Sequence, residues 1–316
     1  MPPNTQGSSR AAPNYGYGVV TLEPKAPSTD PQQIARRVVQ VLDDPEWKPP
    51  LLPVVATQLL ELTRNANVDY QKVAKLLQQD PALAAQLLRR ANSAAYGAGV
   101  QILTIRDAVA RLGLNGVSNL ALEVAVSMRV FRVPGYQNVA DVLRRHAVAT
   151  GYLAGIVSRY TPFNGQQALL YGLLADVGLA LGLLAVVECS QCTRGHQRPE
   201  ISTIWPTLWT IHERVSARVS AMWKLDADIT TVLGCHHSIR VGNVPHPMAA
   251  IVLVAADLAS DLGASLSEPL AGYGVMVTPT PPDLMQSARD LLGLNGRQLD
   301  LARAEGQKLL KDIGGI

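Results

Sequence analysis

Residues 168–187 read ALLYGLLADVGLALGLLAVV, an apolar run whose sole charged side chain is Asp176. A helix of that length is long enough to cross a bilayer. A carboxylate near the middle of such a span costs roughly 3 kcal/mol to insert, and no basic cluster stands immediately on either side. The segment is therefore expected to be one central helix of a soluble domain. A helix that is apolar all round has no face to give to water, so neighbours must cover most of its circumference. Asp176 must then be hydrogen-bonded, paired or metal-bound, because an isolated buried carboxylate is costly.

The covering elements are expected to be helices as well. Hydrophobic residues make up 47% of the chain but aromatics only 5%, so the core rests on Leu, Val and Ala. The β-branched and aromatic enrichment of an all-β protein is missing. Helix-start signals recur: Asp30-Pro31, Asp80-Pro81, and Thr104 with Asp107 three residues on. After them apolar residues fall at helical spacing, as in Leu83, Leu87, Leu88 and Ala91. Val142, Ala149, Leu153 and Ile156 mark one face of a long helix beginning near Asn138. Gly113 is expected to stop one helix and VPGY at 133–136 to divide the chain. Later helices are expected at 205–223, 226–238, 246–261, 283–292 and 297–311. The fold class is all-α, with helical halves at 30–135 and 136–316. Residues 1–29 carry five prolines and few large apolar residues, and are expected to form a flexible or weakly packed tail.

Charge and cysteine usage exclude several classes. A net charge of +3 with no long Lys/Arg block gives no strong nucleic-acid signal. Three cysteines are too few for a disulfide scaffold. Cys189 and Cys192, with His196, resemble a zinc knuckle, but a closed structural site needs a fourth ligand; two reduced cysteines are the expectation. Residues 1–15 lack the apolar stretch of a leader, so no membrane span and a cytoplasmic location are expected. No phosphate-binding loop, dinucleotide fingerprint or nucleophile elbow is present.

The chemistry-bearing residues among the buried helices are His146, Asp176, His212, His236, His237 and Asp257. Imidazole nitrogens and carboxylate oxygens are metal donors. Each also has an ordinary reading: Asp176 and His146 in a buried polar network, His212 in a surface pair with Glu213, and His236-His237 against the carbonyls of a helix end. His246, between two prolines, reads as a loop residue.

Taken together, LLPVVATQLLEL at 51–62, QQDPALAAQLLRRANSAAYG at 78–97 and TIRDAVARLGLNGVSNLAL at 104–122 resemble the HDOD family, the HD-related output domains of bacterial signalling proteins. RRHAV, LLADVG, TIH, CHH and VAADLA follow in the order that family has. The resemblance covers about residues 40–260. It implies an N-terminal helical HDOD subdomain packed against an HD-like helical subdomain completed by the C-terminal helices. It also implies a candidate vestigial metal site at His146, Asp176, His212, His236, His237 and Asp257. The superfamily's His-Asp doublet is matched by Ala175-Asp176, and a methyl group cannot ligate a metal. The Gly-Tyr-Pro signature of the HD-GYP branch is absent, the chain reading HHSIRVGNVPHP there.

The resemblance therefore implies a non-enzymatic bacterial signal-transduction or scaffold module acting through protein–protein contact, with no catalytic residue. Its partner would be a signalling protein of unknown identity. No cofactor is expected beyond, at most, a single divalent metal. Two alternatives accompany this expectation: a metal-dependent phosphohydrolase acting on a nucleotide or cyclic dinucleotide, and an inactive small-molecule sensor.

Overall fold

The computed structural model describes residues 30–50, 54–63, 70–78, 80–93, 96, 101–163, 165, 167–189 and 198–312. The expectations for the 1–29 tail, Cys192 and His196 lie outside the described residues.

The described chain is predominantly helical. Its first half holds α1 (Pro31–Asp43), α2 (Val54–Thr63), α3 (Tyr70–Leu77), α4 (Pro81–Ala91) and α5 (Ile105–Arg129). Then follow α6 (Gln137–Ser158), α7 (Ala168–Leu174), α8 (Val177–Glu188), α9 (Ile201–Met222) and α10 (Ala227–Leu233). A two-stranded antiparallel hairpin, β1 (Arg240–Val241) with β2 (Val244–Pro245), leads into α11 (Pro247–Ala259) and a π turn (Ser260–Ala264). The chain closes with α12 (Ser267–Ala271), α13 (Pro282–Leu292) and α14 (Gly296–Asp312).

The start signals act as their chemistry dictates. Asp30 Oδ1 accepts from Gln32 N at 3.0 Å and Asp80 Oδ1 from Leu83 N at 3.1 Å, satisfying orphan amides of the first turns. Thr104 Oγ1 accepts from Asp107 N at 3.1 Å. Gly113 does not stop α5 but kinks it. Its φ of 70° is open to glycine without the steric cost a Cβ imposes, and the helix resumes beyond it.

Two packed helical subdomains result. The smaller core joins α2, α3, α4 and the first part of α5 through Leu59, Leu77, Leu87, Val109 and Leu120. The larger contains α6 to α11 together with the end of α5 and the last helices. Chain order places α1 with the first half, but it packs on α8 and α9 and buries Ile34, Val38 and Leu42 in the larger core. Between the cores Arg90 of α4 meets Glu123 of α5 at 3.0 Å, and both bond the Tyr152 hydroxyl of α6.

The apolar run at 168–187 is two helices, not one. α7 ends at Leu174 and α8 begins at Val177, with Ala175 and Asp176 at the break. Gly172 explains the close fit of α7 to α6, since a Cβ there would lie 2.7 Å from the Thr150 carbonyl oxygen. Full burial of Leu179, Leu181 and Leu183 of α8 stabilises this packing by about 2 kcal/mol per side chain. The stretches Ala168–Glu188 and Pro247–Ala264 are long and apolar enough to cross a membrane, and 94% and 61% of their most apolar windows are buried inside the protein.

Candidate metal centre

Five of the six candidate residues converge. Asp176 sits at the α7–α8 break, where its side chain makes no capping bond to α8. Gly178 N donates instead to Ser216 Oγ of α9 at 2.9 Å, leaving the carboxylate to face inward. Its Oδ1 lies 3.4 Å from His212 Nε2, 3.4 Å from His236 Nε2 and 4.0 Å from His237 Nε2. Its Oδ2 lies 3.6 Å from His146 Nε2. Asp176, His146, His212 and His236 are buried.

Backbone carbonyls fix the ring orientations. His146 Nδ1 is 2.8 Å from Ala264 O, His212 Nδ1 is 2.6 Å from Trp209 O, and His236 Nδ1 is 3.0 Å from Leu233 O. An Nδ1–H on each ring donates to its carbonyl, which turns Nε2 toward the carboxylate. Metal-binding histidines are oriented by this arrangement. Trp209 adds a wall, its ring 5.1 Å from those of both His212 and His237.

Burial alone would push the Asp176 carboxyl up. The hydrogen bond from His236 and the charges of His236, His212 and His146 outweigh it and hold the group well below the usual carboxylate range. Burial lowers His236 too, but bonding to Asp176 raises it overall. His212 is lowered by burial, and His237 falls to about 3 through burial and the neighbouring His236. The cluster thus keeps an ionised carboxylate beside His212 and His237, which favour the neutral, ligating form, while Asp176 draws His236 toward its charged form.

The donor set fits a divalent transition metal. Asp176, His212, His236 and His237 each offer one donor atom, all within 4.8 Å of one another. His212 Nε2 and His237 Nε2 are 3.0 Å apart; one shared proton or one cation reconciles two lone pairs at that distance. Mixed nitrogen and oxygen donors suit zinc, manganese or iron.

This arrangement corrects the expectation of a chain whose broken doublet leaves no enzyme. Ala175 does lack a donor, yet the donors contributed by α9 and the segment after α10 remain assembled around Asp176. The surface reading of His212 is also overturned, since its side chain is 2% exposed.

Asp257 lines the same cavity but stands outside the four-residue cluster. Its Oδ2 lies 3.7 Å from Arg289 Nη2, and burial followed by the neighbouring Asp261 raises its carboxyl. His246 is the N-cap residue of α11, with Nε2 3.1 Å from Asp228 Oδ1. Cys235 is a free cysteine. Residue types alone did not single out Trp209, although its place three residues before His212 on one helix gives a face-sharing signal. The seryl and threonyl residues of 260–280 that line the cavity carry no local signal.

Known proteins share this architecture. A protein of Shewanella amazonensis SB2B, provisionally named a metal-dependent phosphohydrolase, matches with a TM-score of 0.60 and 20% identity over 88% of this chain and 100% of its own. An HDOD domain protein of unknown function from Geobacter sulfurreducens matches with a TM-score of 0.59 and 23% identity, over 89% of this chain and 95% of its own. A Marinobacter aquaeolei VT8 protein, provisionally named for signal transduction, matches with a TM-score of 0.61 and 21% identity, over 90% of this chain and 66% of its own. An uncharacterized protein of Treponema pallidum (strain Nichols) is 28% identical over 232 residues, 69% of this chain. The chain spans 41% of the length of that curated relative. The HDOD domain family itself matches residues 50–239, which hold both the small core and the four clustered donors, and the chain therefore belongs to the HDOD domain family.

Proposed function

We propose that the chain is a metal-dependent phosphohydrolase acting on a phosphoester of the nucleotide class, in the service of a bacterial signalling pathway. The observation that carries this reading is the convergence of Asp176, His212, His236 and His237, with donor atoms within 4.8 Å of one another. These residues would hold one divalent ion, and His146 would orient Asp176 from its second oxygen. Such an ion polarises a phosphoryl oxygen and makes water a stronger nucleophile near neutral pH.

The chain's own residues supply the rest. The carbonyls of Ala264, Trp209 and Leu233 hold three imidazoles in one orientation, which limits reorganisation during the reaction. The cavity brings Asp257 and the Trp209 wall to the same space as Asp176. The provisional name of the Shewanella structure agrees with this chemistry, and that of the Marinobacter structure with a signalling role; a signalling protein partner is part of the same proposal.

The test is metal content and turnover together. Purified protein should take up about one equivalent of manganese, zinc or iron, and should hydrolyse bis(p-nitrophenyl) phosphate. Asp176→Asn should lose both while keeping its helical circular dichroism. Metal-free protein that neither takes up an ion nor turns over any phosphoester would end the proposal.

A further inference from the structure

The cavity that opens onto the clustered donors has a volume of about 320 Å³, at the small end of ligand pockets. Its charged lining is unusual for a phosphate-handling site. Asp176 and Asp257 both contribute to it, whereas no Lys or Arg is found among its described lining residues. The guanidinium nearest to Asp257, that of Arg289, is turned to that carboxylate at 3.7 Å and is not part of the lining. Beyond Trp209 and the imidazoles of His146, His236 and His237, the polar wall consists of neutral hydroxyls: Ser260, Ser265, Ser267, Thr278 and Thr280.

Sites that process highly charged phosphates normally surround them with Arg, Lys and metal ions aimed at the charge. Here Asp176 offsets one of the two charges of a divalent ion, and Asp257 is already met by Arg289, so one further negative charge completes the balance. A ligand with a single negative charge can enter that field. A dianion or polyanion would bring surplus negative charge beside Asp176 and Asp257 with no Lys or Arg in the described lining to meet it, in surroundings where like charges repel strongly. The hydroxyls offer hydrogen bonds to ester oxygens or sugar hydroxyls without adding charge.

We propose that this cavity selects small phosphodiesters carrying one negative charge, and discriminates against phosphomonoester dianions and polyphosphates. The proposal rests on the phosphohydrolase reading for its chemical step but on the cavity wall for its selectivity. In the step, the oxygen of water bonds to phosphorus as one ester P–O bond breaks. One water proton passes to the departing oxygen and the other is released to solvent, so the products are an alcohol and a phosphate monoester dianion, with no change in oxidation state. The product gains charge in a site that disfavours it, which promotes its release.

The closing experiment separates selectivity from turnover. Cyclic adenosine 3′,5′-monophosphate and AMP share base, sugar and one phosphate but differ by one charge near pH 8. Calorimetric titration of manganese-loaded protein should show the cyclic ester binding roughly ten-fold more tightly than AMP, with ADP weaker again. Thr280→Lys, and separately the exposed Ser267→Lys, each add a cation to the wall and should narrow or invert that ranking. AMP or ADP binding as tightly as the cyclic ester in the native protein, or no binding of any of the three, overturns the proposal. So does a ranking unmoved in both folded lysine variants. If the ranking holds and the lysines shift it, but bis(p-nitrophenyl) phosphate is not hydrolysed, the hydrolytic reading fails and the charge selectivity stands.

Discussion

The two cores are built from the same helical material and differ in what they bury. The smaller one, centred on Leu59, Leu77, Leu87 and Val109, packs aliphatic side chains against one another. The larger one buries Asp176 with His146, His212 and His236 amid its leucines and valines. An aliphatic core tolerates loss of a side chain according to the cavity left behind. A buried charge cluster tolerates the loss of one member far less well, because each remaining group was desolvated in reliance on it. The comparison places the buried Asp–His cluster in the larger subdomain, beside an aliphatic core in the smaller.

The largest effect should follow from Asp176→Ala. It leaves His236 and its neighbours without their anion and should cost roughly 3–5 kcal/mol in stability, together with all ion binding. Urea unfolding and calorimetric metal titration read the two losses separately; retention of ion binding would erase the distinction between the cores. Leu87→Ala is the counterpart in the small core. It should cost about 3 kcal/mol while leaving metal affinity unchanged, and a fall in affinity beyond the experimental error would show the cores to be coupled at the site.

Gly178→Ala sharpens the contrast. An added Cβ would lie 2.2 Å from the His212 carbonyl oxygen, so α8 and α9 must separate. Stability should drop by about 1–3 kcal/mol, and metal affinity should drop with it because His212 moves. Acid should act on the same subdomain. His237 is held neutral in the fold down to about 3, whereas an unfolded chain protonates it near the ordinary histidine value. Its contribution is present above that ordinary value and is lost as pH falls toward 3, since the unfolded state then binds the extra proton. In chelator-treated protein, His237→Gln should show a shallower decline over that window than the native chain. The smallest effect belongs to Asp30→Ala, which removes the α1 cap and should cost about 1 kcal/mol by thermal unfolding with the site untouched.

Much of this architecture was legible because its signals are local. Asp30, Asp80 and Thr104 announce helices through bonds two or three residues away. The burial of 168–187 followed from the absence of any polar face. The break inside it did not, because a uniformly apolar run has no periodicity for a two-residue turn to interrupt. The short α12 within a Gly/Pro-rich stretch, and the two-residue strands at 240–245, lie below the length at which patterns become distinctive. At the site, residue types pointed to the segments whose side chains cluster, but closure around Asp176 joins positions up to 61 residues beyond it. Ala175 was visible as a missing donor; that four donors remain clustered without it depends on the approach of α8 to α9. Asp257 likewise looked equivalent to the others until Arg289, from α13, met it.

The course of α5 has a mechanical consequence. Leu120 and Ala121 lie in one core, whereas Leu122 and Ala125, one turn or less away, lie in the other. The helix is therefore an axle shared by both bodies, and neither can swivel without applying torque to it. The Arg90, Glu123 and Tyr152 contacts act as a key in that axle, locking α4 and α6 to the same rotation. A displacement begun at His146, on α6, is thereby geared to the small subdomain through rigid parts rather than through a flexible linker.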